Sequence, residues 1–293
     1  MRSEKNRFAA WMDEHPVIAG FAVVILYILL RKGTYYLFLH AQGAAFTVIH
    51  ELVDVIWPFL MVLAFGKIGA YRKGRFFRTL LLGVSLFLYG LLLGFGINLF
   101  PLFKESGLEW QTPVMIVWAL ITMLFVGFRE ESCYRGIVLR AFANKYMKDR
   151  KGVLISVFAS AAFFGIMHMA NIFVGQSFVE CVFQTVSAFF FGSLSAAVYL
   201  RGGNLWALMV LHGFTDLGLM SKNLLTKTYS SDAVEFIASH KDTTINPAQL
   251  VVNLVLWTIF ICLTLFMLRK KKCGEIIERF GSGGNNEKPA ETL

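Results

Sequence analysis

Four short stretches carry side chains whose types and spacing could do chemistry in an otherwise apolar chain. Residues 128–136 read FREESCYRG and hold Arg129, Glu130, Glu131 and Arg135. Residues 164–168 read FGIMH and end on His168, and residues 212–216 read HGFTD, with His212 and Asp216. Residues 49–54 read IHELVD, with His50, Glu51 and Asp54. On a helix, Glu131 and Arg135 stand four apart on one face and can neutralise each other. Glu130 points about 100° away from Glu131 and is left for another task. His212 and Asp216 share a face by the same spacing. A carboxylate with two imidazoles offers the acid, base and oxyanion donor that water-mediated bond cleavage needs.

The elements that hold these groups are apolar. The chain has 293 residues, 56% of them hydrophobic and 16% charged, where a soluble protein carries about 25% charged residues. That composition predicts an all-α, polytopic membrane protein, with most of the chain in one membrane domain. Apolar stretches near 17–39, 44–66, 79–103, 113–143, 153–171, 178–200, 204–220 and 249–268 predict about eight transmembrane helices. The fourth exceeds one crossing and is expected to tilt or to continue past the membrane face toward Lys145. The seventh is short and polar, which suits a helix buried among others. The candidate catalytic groups then lie on spans four, five and seven. At 1.5 Å per residue from the inside ends, Glu130 lies about 22 Å deep, His168 about 25 Å and His212 about 15 Å. All three depths fall in the hydrocarbon, where they can converge on one cavity.

Net charge is +9, but the basic residues cluster between apolar runs. There they set topology and meet anionic headgroups, and nucleic acid is not an expected partner. Lys67 to Arg78, Arg140 to Lys151 and the run RKKK at 269–272 fall on one side, while Lys104, Lys222, Lys227 and Lys241 fall on the other. The asymmetry predicts both termini inside the cell, in the cytoplasmic membrane. Arg31 and Lys32 are the misfit. If the first two spans turn near Gln42, both lie level with Glu51 and Asp54, which predicts ion pairs across the hairpin with a structural role. The N-terminus MRSEKNR precedes an apolar run, yet no small-residue cleavage site follows it, which predicts an uncleaved first helix. Residues 1–16 are then a cytoplasmic N-terminus, 17–272 the membrane-embedded domain and 273–293 a polar tail. The tail's last stretch, GSGGNNEKPAETL, is expected to be disordered. Cys133, Cys181, Cys262 and Cys273 are dispersed and form neither a disulfide framework nor a CxxC site.

The set EESCYR (130–135), FGIMH (164–168) and HGFTD (212–216) resembles, in order and spacing, the EExxxR, FxxxH and HxxxN/D motifs of the CPBP family. These are the CAAX proteases and bacteriocin-processing enzymes, also called the Abi family, related to the Ras-converting CAAX endopeptidase. The likeness covers roughly residues 110–220. It implies an intramembrane endopeptidase in which Glu130 activates water, assisted by His168. It also implies that His212 and Asp216 stabilise the oxyanion, with Glu131 and Arg135 as structural support. Asp216 stands where the eukaryotic members carry Asn. An ionised Asp accepts but does not donate, so it serves an oxyanion only when protonated, or by orienting His212. No cofactor is implied.

Other chemistries suit the same groups. Glu130, His168, His212 and Asp216 include a two-His-plus-carboxylate zinc set, though HExxH is absent. Buried Glu, His and Asp also make proton relays in transporters, but no internal repeat is evident. A non-catalytic scaffold or immunity protein is a further alternative. Expected partners are the lipid bilayer and a peptide or lipidated-protein substrate.

Overall fold

The computed structural model describes residues 7–38, 44–72, 74–92, 111–225 and 247–280, and the regular elements among these are all helical. They are α1 (Arg7–Glu14), α2 (Pro16–Phe38), α3 (Ala44–Ala64), α4 (Phe76–Leu82) and α5 (Val84–Tyr89). Then come α6 (Gln111–Glu131), a π-helical turn (Ser132–Leu139), α7 (Arg140–Tyr146) and α8 (Arg150–Met167), which continues as a 3₁₀ turn (His168–Val174). Last are α9 (Phe178–Gly202), α10 (Leu205–Leu225), α11 (Pro247–Met267) and α12 (Lys270–Phe280).

Local chemistry sets several of these boundaries. Asp149 caps α8, its side chain accepting from the Gly152 backbone N–H at 2.7 Å. Ser177 and Glu180 form a capping box at the start of α9. That helix stops at Gly203, whose φ of +87° suits a residue with no Cβ. The stretch at 79–103, expected as one span, breaks at Gly83 between α4 and α5; its part beyond residue 92 lies outside the described residues. So do the turn near Gln42, Lys104, Lys227, Lys241 and the tail from residue 281.

Among the described residues, four helical segments are long and apolar enough to cross a membrane: Pro16–Thr34, Arg150–Phe173, Phe178–Gly202 and Leu250–Met267. Leu52–Ala64 and Leu205–Leu219 are shorter apolar helices. The protein is an integral membrane protein, and its burial pattern fits lipid as solvent. Phe77, Leu81, Leu29 and Phe266 are exposed, while Asp54, Arg129, Glu131, Arg135 and His212 are buried. The interior holds the charge and the surface holds the hydrocarbon, as a bilayer demands. α12 crosses residue 273, where the sequence sets the start of the polar tail. It buries Cys273, Ile276 and Phe280 against α7, α8 and α9.

Two glycines set the distance between the helices that matter most. A Cβ built on Gly127 of α6 would lie 2.5 Å from the Met209 carbonyl oxygen and 3.0 Å from the Gly213 nitrogen, both on α10. Reciprocally, a Cβ on Gly213 would lie 2.7 Å from the Met123 carbonyl oxygen and 2.9 Å from the Leu124 Cα. The backbones therefore touch at this crossing, the close approach that small residues permit within membranes. Gly127 stands three residues before Glu130, and Gly213 directly follows His212.

Candidate active site

The contact between α6 and α10 brings two carboxylates against one imidazole. His212 Nδ1 lies 2.6 Å from Glu131 Oε1. Its Nε2 lies 3.5 Å from Glu130 Oε2 and 3.4 Å from Asp216 Oδ2. Three acids thus surround one ring. The Nδ1–Glu131 contact fixes the ring's orientation, as a carboxylate does behind many functional histidines. Nε2 is then aimed at the two acids that line the more open side. The side chain of Asp216 is 22% exposed, against 0% for Glu131.

Glu131 and Arg135 pair as the spacing predicts, with Nη1 of Arg135 3.0 Å from Glu131 Oε1. No Nη1 hydrogen bond reaches an acceptor with good geometry, so this contact is one of charge. Arg135 Nη2 donates to the Gly192 carbonyl of α9 at 3.1 Å, and the guanidinium carbon sits 4.7 Å from the centre of the Phe164 ring. Arg135 lies on the π-helical turn, whose i→i+5 bonding is uncommon and recurs at functional sites.

Glu130 has partners as well. Tyr27 of α2 donates its hydroxyl to Glu130 Oε1 at 3.0 Å. The same hydroxyl accepts from Arg129 Nε at 3.0 Å, and Arg129 Nη1 lies 3.0 Å from Asp54 Oδ2. Asp54 also accepts from Arg31, from Thr34 at 2.5 Å and from the Trp57 indole at 3.2 Å. The expected ion pair across the first hairpin is therefore present for Arg31 and Asp54. Lys32 instead lies over the Phe173 ring, 4.6 Å from its centre. The side chains of His50 and Glu51 lie outside the described residues.

His168 arrives from the end of α8. Its Nδ1–H donates to the Phe164 carbonyl at 2.9 Å, and since a carbonyl only accepts, Nε2 is left as the acceptor. His168 lies within electrostatic reach of Glu130 and His212. The Phe164 ring packs on both imidazoles, with centroids 5.0 Å from His168 and 5.9 Å from His212. The six residues singled out in the sequence thus gather from α6, the π turn, α8 and α10. Among the described residues, no three His, Cys, Asp or Glu side chains stand in an arrangement that could hold a metal ion.

The sequence reading missed Tyr27 and gave Arg129 no task. One signal was present: with Glu131 assigned to Arg135, Arg129 was a buried charge still in need of a partner.

Chemically, the cluster holds a carboxylate oxygen beside a donor-capable imidazole, a second imidazole with a lone pair, and a partly exposed acid. That set can take a proton from water and face a developing oxyanion. Residues 112–218 match the family described as Type II CAAX prenyl endopeptidase Rce1-like, and this span contains all six residues. No curated protein and no solved structure matches the chain.

Proposed function

Because residues 112–218 match the Type II CAAX prenyl endopeptidase Rce1-like family, we propose that the chain is a CAAX-type intramembrane endopeptidase that hydrolyses a peptide bond with water activated by Glu130. The observation that carries this reading is the placement of His212 Nε2 within 3.5 Å of both Glu130 and Asp216. It sets a general base beside an oxyanion donor. Glu130 Oε2 takes a proton from water as the water oxygen attacks the peptide carbonyl carbon. His168 Nε2, with its lone pair, accepts a hydrogen bond from the O–H the water keeps and holds the water in line. Ringed by three acids, His212 acts as the imidazolium: Nδ1–H donates to Glu131, and Nε2–H faces the carbonyl oxygen, now negative. As the C–N bond breaks, Glu130 returns its proton to the departing amine. Glu131 and Arg135 fix His212 and the π turn, and Asp216 keeps Nε2 turned toward the reacting atoms.

The substrate class that fits is a membrane-associated or membrane-proximal peptide, lipidated or not, with no nucleic acid and no required metal. The remaining architecture we propose is about eight crossings in the cytoplasmic membrane, with both termini inside. The basic segments at 67–78 and 140–152 support it.

The test is cleavage of a peptide library by the purified protein in nanodiscs, read by mass spectrometry. Wild type cuts; Glu130→Gln, which keeps shape and loses the base, is at least about 10²-fold slower, as removal of general catalysis implies. Activity that survives in Glu130→Gln overturns the assignment. Stoichiometric zinc, with activity lost to a chelator and restored by zinc, overturns the metal-free mechanism. Absence of any cleavage leaves the scaffold reading standing in its place.

A further inference from the structure

We propose that Tyr27 is a positioning residue for Glu130, and that it divides the carboxylate into an anchored oxygen and a working one. The inference rests on Glu130 acting as the base, but its geometry stands apart from that role. A guanidinium only donates, and an ionised carboxylate only accepts. The Tyr27 hydroxyl, 3.0 Å from Arg129 Nε, must accept there, and its single proton is then committed to Glu130 Oε1, also at 3.0 Å. The direction of every bond in this chain is fixed by the residue types.

The chain is also held at its far end. Arg129 rests on Asp54, whose two oxygens together take donors from Arg31, Thr34, Trp57 and Arg129. Asp54 is fully buried and Tyr27 is 5% exposed. The Tyr27 ring cannot swing away, because it is wedged edge-on against Trp57 at 5.3 Å and lies beside Tyr134 at 6.1 Å. Glu130 Oε1 is therefore tied to α2 and α3 through a rigid series of charge-assisted bonds. Oε2 is the oxygen left on the His212 side, 3.5 Å from Nε2. Without the tie, the carboxylate could rotate about its last bond and present either oxygen, or neither, to the water.

Two measurements test the idea. In the first, Tyr27→Phe keeps the ring and removes only the hydroxyl. Misplacing a reacting group by about 1 Å can cost 10²-fold. We expect kcat to fall about 10- to 100-fold, with KM within about twofold and a fall of a few degrees in melting temperature, because Arg129 Nε loses its acceptor. In the second, infrared difference spectra against Glu130→Gln identify the Glu130 carboxylate stretch, and Tyr27→Phe should shift that band by removing one donor. A shifted band with reduced kcat supports the proposal. An unshifted band overturns it whatever the activity, as does unchanged kcat. A raised KM with kcat intact shows Tyr27 to be a substrate contact and also overturns it. If wild type cleaves nothing, the band reads the tie alone: a shift keeps it while the protease reading fails, and no shift removes both.

Discussion

On the α2–α3 side of Glu130, Asp54 accepts from four donors, Arg129 bridges to Tyr27, and Tyr27 donates a hydrogen bond to Glu130. On the α10 side, Glu131 Oε1 serves both Arg135 and His212. Glu131 Oε2 and Arg135 Nε and Nη1 are buried with no hydrogen-bond partner. The two flanks contain similar groups, carboxylates and arginines at low exposure. They differ in how fully their polar atoms are used. A buried polar group without a partner carries a cost of about 1–3 kcal/mol, and such costs concentrate where a site has work to do. The saturated flank reads as a brace. On the other flank Asp216 is the most exposed of these acids, so the α10 side is the more open one.

Three substitutions break or sharpen that contrast. Asp54→Asn strips the brace of its charge and leaves Arg31 and Arg129 facing each other across a neutral amide. Losing one partner of a buried ion pair costs about 3–5 kcal/mol, so this variant should show the deepest drop in thermal midpoint and yield. A stability close to wild type would end the idea that this flank is a brace. Glu131→Gln should cost less, about 2–3 kcal/mol, because its pairing with Arg135 is already imperfect and Arg135 keeps the Gly192 carbonyl. Denaturation in the same detergent, followed by tryptophan fluorescence, ranks the two, and the reverse order would mean the flanks have been assigned the wrong way round. Thr34→Val removes one donor of four from Asp54 and should cost only about 1 kcal/mol. A loss as large as that of Asp54→Asn would show the four contacts to be one indivisible unit.

Activity separates the flanks further. Asp216→Asn keeps the side chain's shape and lets it donate. If Asp216 supports an oxyanion or orients His212, cleavage should stay within a few-fold of wild type or rise; a sharp loss would favour a ligand role for the carboxylate.

Much of this was legible from residue types and spacing. The apolar runs near 17–39, 178–200 and 249–268 correspond to α2, α9 and α11, because about 20 consecutive apolar residues have few other stable fates. The motif residues were visible because charge stands out in such runs. Arg31 and Lys32 were placed level with Glu51 and Asp54 because they broke the charge asymmetry, and equal depth in a hairpin is simple arithmetic; that Arg31 takes Asp54 while Lys32 turns to Phe173 was not legible. Tyr27 was not legible. An aromatic residue in an apolar helix looks like packing, and its partners stand 102 and 103 positions away. The π turn was invisible for another reason: its residues have the composition of an ordinary α-helix, and the wider winding follows from tertiary contacts. Gly127 and Gly213 were seen only as two glycines among 25, since nothing local marks which ones face another backbone.

That last point bears on anyone who would engineer the chain for robustness. Exchanging helical glycine for alanine is a common stabilising device, giving about 0.4–1 kcal/mol where the site has room. At Gly33 and Gly274 an added methyl would meet nothing within 4 Å, and both are suitable starting points. At Gly127 and Gly213 the same methyl would strike main-chain atoms that no rotamer change can move aside. A library that treats all glycines alike would mix useful changes with ones that wedge α6 from α10.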